Sequence, residues 1–116
     1  MKILVVGDEF IDSRLLRKHL NNQLKPIVND LRYEEIDFKS TDVPTQVYQD
    51  IDEYWGDVDF LIKKIGECEV LVVVDAPVTE KVVKAGTELR VIGCTRGGPV
   101  NVNIREATRR GIPVLY

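Results

Sequence analysis

The sequence is poor in the residues that staple, ligate or catalyse: it holds two cysteines and one histidine. Cys68 and Cys94 fit no CxxC or Cys/His spacing, which argues against a zinc site or a disulfide framework and for two reduced, half-buried thiols of a cytoplasmic protein. Cys94 borders a glycine loop and is a candidate nucleophile, but His19 falls on a separate predicted helix and supplies it no base. No apolar run approaches the ~20 residues of a membrane span. Met1-Lys2 leads straight into a predicted strand, without a charged n-region or cleavage site, so neither secretion nor membrane insertion is expected. A net charge of -3 lacks the basic excess that nucleic acid or an anionic membrane surface would attract.

What is present is ordinary for a globular chain: 44% hydrophobic and 30% charged residues over 116 positions, enough for one domain with a single core. Residues 3–6 (ILVV) and 70–74 (VLVVV) are unbroken apolar runs, the pattern of strands buried on both faces of a parallel sheet. Between them, Ile11, Leu15, Leu16, Leu20 and Leu24 recur at helical spacing until Pro26. A strand is expected over residues 31–38 and a loop over 40–47. The carboxylates Asp50, Asp52, Glu53, Asp57 and Asp59 raise the question of a metal. An EF-hand starting at Asp50 would need glycine sixth and glutamate twelfth, where the chain has Trp55 and Leu61. They read instead as the wet face of a helix whose apolar face is Tyr54, Val58, Leu61, Ile62 and Ile65.

The later signals are sharper. Thr79 caps a short predicted helix containing Val82, Val83 and Ala85, with Gly86 at its end. Residues 89–103, LRVIGCTRGGPVNVN, run from a strand through Gly97-Gly98-Pro99 to Asn103, which with Glu106 forms a capping-box pattern for a helix over 104–110. Gly111 stops that helix, and a last strand is expected over 112–116. Strand, glycine turn, helix start is how an open α/β sheet offers backbone N–H groups to an anion; it is also how a tight connection with no ligand looks. The alternation predicts an α/β fold, a flavodoxin-like three-layer sandwich with a parallel sheet of about five strands.

The run from Val70 to Val114, and especially VTEKVVKAGTELRVIGCTRGGPVNVNIREATRRGIPV, residues 78–114, resembles the end of the N-terminal substrate-binding lobe of the D-isomer-specific 2-hydroxyacid dehydrogenases, the family of D-3-phosphoglycerate dehydrogenase. Residues 1–69 match that lobe only in general plan. The resemblance implies that Gly97 and Gly98 cradle a substrate carboxylate and that Asn101 orients backbone and substrate, although an Asx turn would equally explain Asn101. It implies NAD for the parent protein and no cofactor for this chain, since no GxGxxG follows a strand and the family's catalytic arginine, glutamate and histidine belong to the dinucleotide-binding domain. Two departures bear on the substrate. Asp75-Ala76 stands where phosphoglycerate dehydrogenases commonly have Arg-Ser, which disfavours a phosphate. Arg96 replaces the first glycine of the loop and sets a cation beside the carboxylate site.

The expectation is a substrate-binding lobe for a small 2-hydroxy or 2-oxo acid, inactive alone, partnered by a missing NAD-binding domain. The absent returning helix would leave a sheet face open to self-association. Two alternatives share the fold. In a phosphoacceptor receiver domain, Asp8 and Glu9 would bind magnesium, Asp75 would take the phosphoryl group and Thr95 would follow the next strand. A structural or engineered scaffold would carry no site.

Overall fold

The computed structural model describes residues 1–42 and 47–116, so the loop expected over 40–47 falls in part outside the described residues. The elements run β1 (Lys2–Asp8), α1 (Ser13–Leu24), β2 (Arg32–Phe38), α2 (Val58–Ile65), β3 (Val70–Val73), α3 (Glu80–Ala85), β4 (Val91–Cys94), α4 (Ile104–Arg109) and β5 (Val114–Leu115). The strands form one parallel sheet in the order β2-β1-β3-β4-β5, which is the flavodoxin-like order.

The apolar runs of β1 and β3 face two separate cores, as residues of alternating direction must. Leu4, Val6, Leu71, Val73 and Ile92 join Leu61 and Ile65 of α2, Val82 and Val83 of α3, and Ala107 of α4. On the other face Ile3, Val5 and Val72 meet Leu16, Leu20 and Leu24 of α1. One helix therefore covers one side of the sheet and three cover the other. Gly7 lets α1 come close: a Cβ there would lie 2.4 Å from the Ser13 nitrogen. Ser13 is buried at that contact and donates its N–H and hydroxyl to Asp37 of β2, at 2.7 and 2.8 Å.

Each helix starts on a capping side chain: Asp12 for α1, Asp57 for α2, Thr79 for α3 and Asn103 for α4. The capping box is half formed. Asn103 accepts the Glu106 N–H at 2.9 Å, but its own N–H goes to the Val78 carbonyl, and the Glu106 carboxylate turns to Arg109. An arginine one turn away is a stronger partner for a carboxylate than an amide already engaged.

Three boundaries differ from the periodicity. Leu89 sits in a turn, its N–H bonded to the Gly86 carbonyl, so β4 begins at Val91. The last strand is only Val114–Leu115. Most consequentially, α2 begins at Val58, so Asp50, Asp52 and Glu53 are not its wet face, nor is Tyr54 on its apolar face. Gly56 interrupts any earlier start: it holds φ at +109°, and a Cβ there would come within 2.3 Å of the Phe38 ring. The segment ahead of α2 is instead a strap across the carboxyl edge of the sheet, tied by Asp52 N–H to the Val100 carbonyl and by Trp55 N–H to the Asp75 carbonyl, both 2.9 Å.

Candidate functional site

At the carboxyl edge, β1 ends at Asp8, β3 is followed by Asp75, and β4 runs into Thr95, Arg96, Gly97 and Gly98. The strand order turns back between β1 and β3, so the crevice outside their ends is where an open sheet of this kind exposes a binding site. The fold brings Asp8, Asp75, Arg96 and Asn101 together there.

Gly97 and Gly98 are exposed. Neither adopts positive φ, and a Cβ on either would meet nothing within 4 Å. Glycine's access to positive φ is therefore not what the loop uses. Among the described residues their N–H groups donate to no protein acceptor, while the Gly98 carbonyl accepts from Val100 N–H at 2.7 Å. Two bare amides at the carboxyl edge can take a carboxylate without a side chain in the way.

Asn101 is completely buried and its bonds are spoken for. Its Nδ2 donates to the carbonyls of Val74 and Ala76 at 3.2 and 2.9 Å, and its Oδ1 faces the Cys94 thiol and Arg96 Nη1. The side chain thus ties the end of β3 to the glycine loop, which is neither a local Asx turn nor a free hand towards solvent. Arg96 is equally engaged. Nη1 reaches the Glu53 carbonyl at 2.5 Å, Asp75 Oδ1 at 3.5 Å and Asn101 Oδ1 at 3.5 Å; Nη2 reaches the Glu53 carboxylate at 3.2 Å.

The two aspartates at the crevice share a hydrogen bond and diverge in acidity. Burial, followed by the bond to Asp8, pushes the Asp75 carboxyl up to about 6, against the pull of Arg96. Burial works on Asp8 in the same sense, but N–H groups of Ile11 and Phe10, at 2.7 and 2.8 Å from Oδ1, together with Asp75 hold it below the ordinary aspartate range. Below about pH 6, Asp75 carries the proton of the pair and Asp8 accepts the hydrogen bond.

Of the other residues singled out, Cys68 and Cys94 are both fully buried rather than half-buried, and burial pushes each thiol up, away from a nucleophilic thiolate. His19 lies exposed on α1. Glu9, the second acid of the receiver arrangement, accepts the Ser40 N–H at 3.0 Å, and Thr95 is exposed. Among the described residues no three His, Cys, Asp or Glu side chains converge as a metal site, and no helix is long and apolar enough to cross a membrane. Glu53 was absent from the expected site, because its neighbours Asp50, Asp52 and Asp57 read as one solvated helix face. Gly56, so close behind it, was the signal that no helix could begin there.

A family model for the D-isomer specific 2-hydroxyacid dehydrogenase catalytic domain matches residues 15–116. Among solved structures, protein TT0316 of Thermus thermophilus superposes with a TM-score of 0.63 at 18% identity, over 98% of this chain and 29% of its own. The NAD+-bound 3-phosphoglycerate dehydrogenase of Entamoeba histolytica superposes at 0.65 with 18% identity, over 98% of this chain and 32% of its own. Identities this low establish the shared fold, and the chain corresponds to under a third of each of those proteins. No curated protein matches the sequence.

Proposed function

Since the chain belongs to the D-isomer specific 2-hydroxyacid dehydrogenase family, we propose that it is the substrate-binding lobe of an NAD-dependent D-2-hydroxyacid dehydrogenase, with Gly97 and Gly98 holding the carboxylate of a small 2-hydroxy or 2-oxo acid. The observation that carries this is the pair of exposed glycines whose N–H groups find no protein acceptor among the described residues and whose missing side chains nothing in the chain itself requires. A ligand approaching the backbone supplies the reason.

The neighbouring groups refine the substrate. Arg96 adds positive charge beside the amides, and Asn101 fixes the loop against β3 as a positioning residue. The Asp8–Asp75 pair, with Asp8 ionised and Asp75 losing its proton as pH rises through about 6, would repel a phosphate at the crevice, so the substrate is an acid without a phosphoryl group.

NAD does not fit the residues present. No strand ends in a GxGxxG turn, and the loop that holds Gly97 and Gly98 lacks that spacing and leads into the six-residue α4. The cofactor belongs to a second domain of the parent enzyme, which is also this lobe's partner and supplies the arginine, glutamate and histidine of hydride transfer. In that arrangement the lobe binds and orients the acid and transfers no hydride alone; it works in the cytoplasm, without nucleic acid or membrane.

The test is an amide NMR titration of the chain with pyruvate and with lactate. Shifts centred on Gly97 and Gly98 are expected. Saturation at millimolar acid with those amides unmoved would refute the proposal.

A further inference from the structure

Arg96 presents its two terminal nitrogens to different surroundings. Nη1 is held by three acceptors belonging to anchored parts of the chain: the Glu53 carbonyl, the Asp75 carboxyl and the buried Asn101 side chain. Among the described residues Nη2 meets only the Glu53 carboxylate, at 3.2 Å. That carboxylate is the exposed member of the pair, 72% accessible against 25% for Arg96. Such an ion pair is weak and readily exchanged.

The backbone around Glu53 is arranged for that contact. Glu53 holds φ at +50°, a left-handed conformation that a residue with a Cβ adopts at some cost. It persists because the strap is pinned on either side, at Asp52 and Trp55, and because the Glu53 carbonyl is engaged by Arg96. If the side chain swung away, the guanidinium would still be held by its three Nη1 acceptors. One N–H position would open on the residue that directly precedes Gly97 and Gly98, whose amides find no acceptor among the described residues.

We propose that the Glu53 carboxylate is a built-in occupant of the anion subsite at Arg96 and the Gly97–Gly98 loop, and that a substrate carboxylate binds there by displacing it. This rests on the carboxylate-binding function proposed above and adds a self-competition to it. The exchange replaces one carboxylate by another on the same cation, so it favours ligands whose carboxylate also takes the glycine amides, and it disfavours neutral ones.

The experiment compares pyruvate affinity, read from the Gly97 and Gly98 amides, in the unaltered chain, Glu53→Gln and Glu53→Gly. Glutamine removes the charge; glycine removes the carboxylate while suiting the positive φ and keeping the carbonyl on Arg96. Both should lower Kd by about two- to fivefold, the scale of an exposed ion pair. In the unaltered chain, pyruvate should also move the Glu53 side-chain carboxyl resonance as it leaves Arg96. Amide shifts with equal Kd in all three proteins and an unmoved Glu53 resonance would overturn the self-competition and leave the carboxylate site standing. A gain in Glu53→Gly alone would assign the effect to backbone strain and overturn it as well. No amide response in any of the three would overturn both.

Discussion

Asp75 is where residue chemistry has the clearest consequence. It is hydrogen-bonded to Asp8 and meets Arg96 of the glycine loop at 3.5 Å. An acid whose folded pKa lies above its unfolded value stabilises the fold fully only below the unfolded value. For Asp75 that stability is lost as pH rises from 3.8 through about 6. Asp8, depressed in the fold, works in the opposite sense, giving stability above its unfolded value that disappears as pH falls through its folded one. Asp75→Asn keeps a hydrogen-bond donor for Asp8 and removes the ionisation. Relative to the unaltered chain, the variant should gain stability between pH 4 and 6 and level off above, by roughly 1–2 kcal/mol at pH 7.5. Urea midpoints measured across that range decide it; parallel curves would mean that Asp75 does not carry the proton.

At the scale of elements, the strap ahead of α2 does what a helix there could not. Asp50 Oδ2 accepts the Glu80 N–H of α3 and the Asn103 Nδ2 of α4, each at 2.8 Å, so one exposed carboxylate serves the starts of two helices. A negative group between two helix N-termini also meets their partial positive charge. Asp50→Ala should therefore cost about 1 kcal/mol, seen as a lower urea midpoint with an unchanged slope. Hydrogen exchange should locate the loosening at the first turns of α3 and α4 and leave β1 and β3 protected. A uniform loss of protection would show that the strap supports the whole sheet instead.

The whole molecule is asymmetric about its sheet. α2, α3 and α4 close one face; on the other, α1 packs over the β1 and β2 side. Val91 and Leu115 follow Val70 and Val72 across that second face in register, through Gly93, and Leu115 is 61% exposed. An apolar strip of this kind seeks a cover, and in the isolated chain the proposed cover is a second copy. Sedimentation should then show concentration-dependent association, and Leu115→Lys should weaken it by about tenfold, the worth of one leucine's burial. Because Leu115 is exposed in the single chain, that substitution should leave monomer stability nearly unchanged. A chain that stays monomeric at high concentration would exclude the contact.

The sequence by itself determined the alternation of strands and helices, the parallel sheet, the caps at Thr79 and Asn103, and a glycine loop at the carboxyl edge. These follow from forces that act locally: burial of one face imposes a period, and capping side chains act within three residues. Tertiary structure alone decided that Ser13 meets Asp37, that Asn101 spends its amide on Val74 and Ala76, and that Glu53 closes on Arg96. Polar side chains far apart in the chain carry no period, and their partners are set by which strand ends the topology brings side by side. The strap is the extreme case. With no repeating apolar face of its own, it takes its course from the sheet edge it crosses, and it brings to the loop the one carboxylate the sequence did not place there.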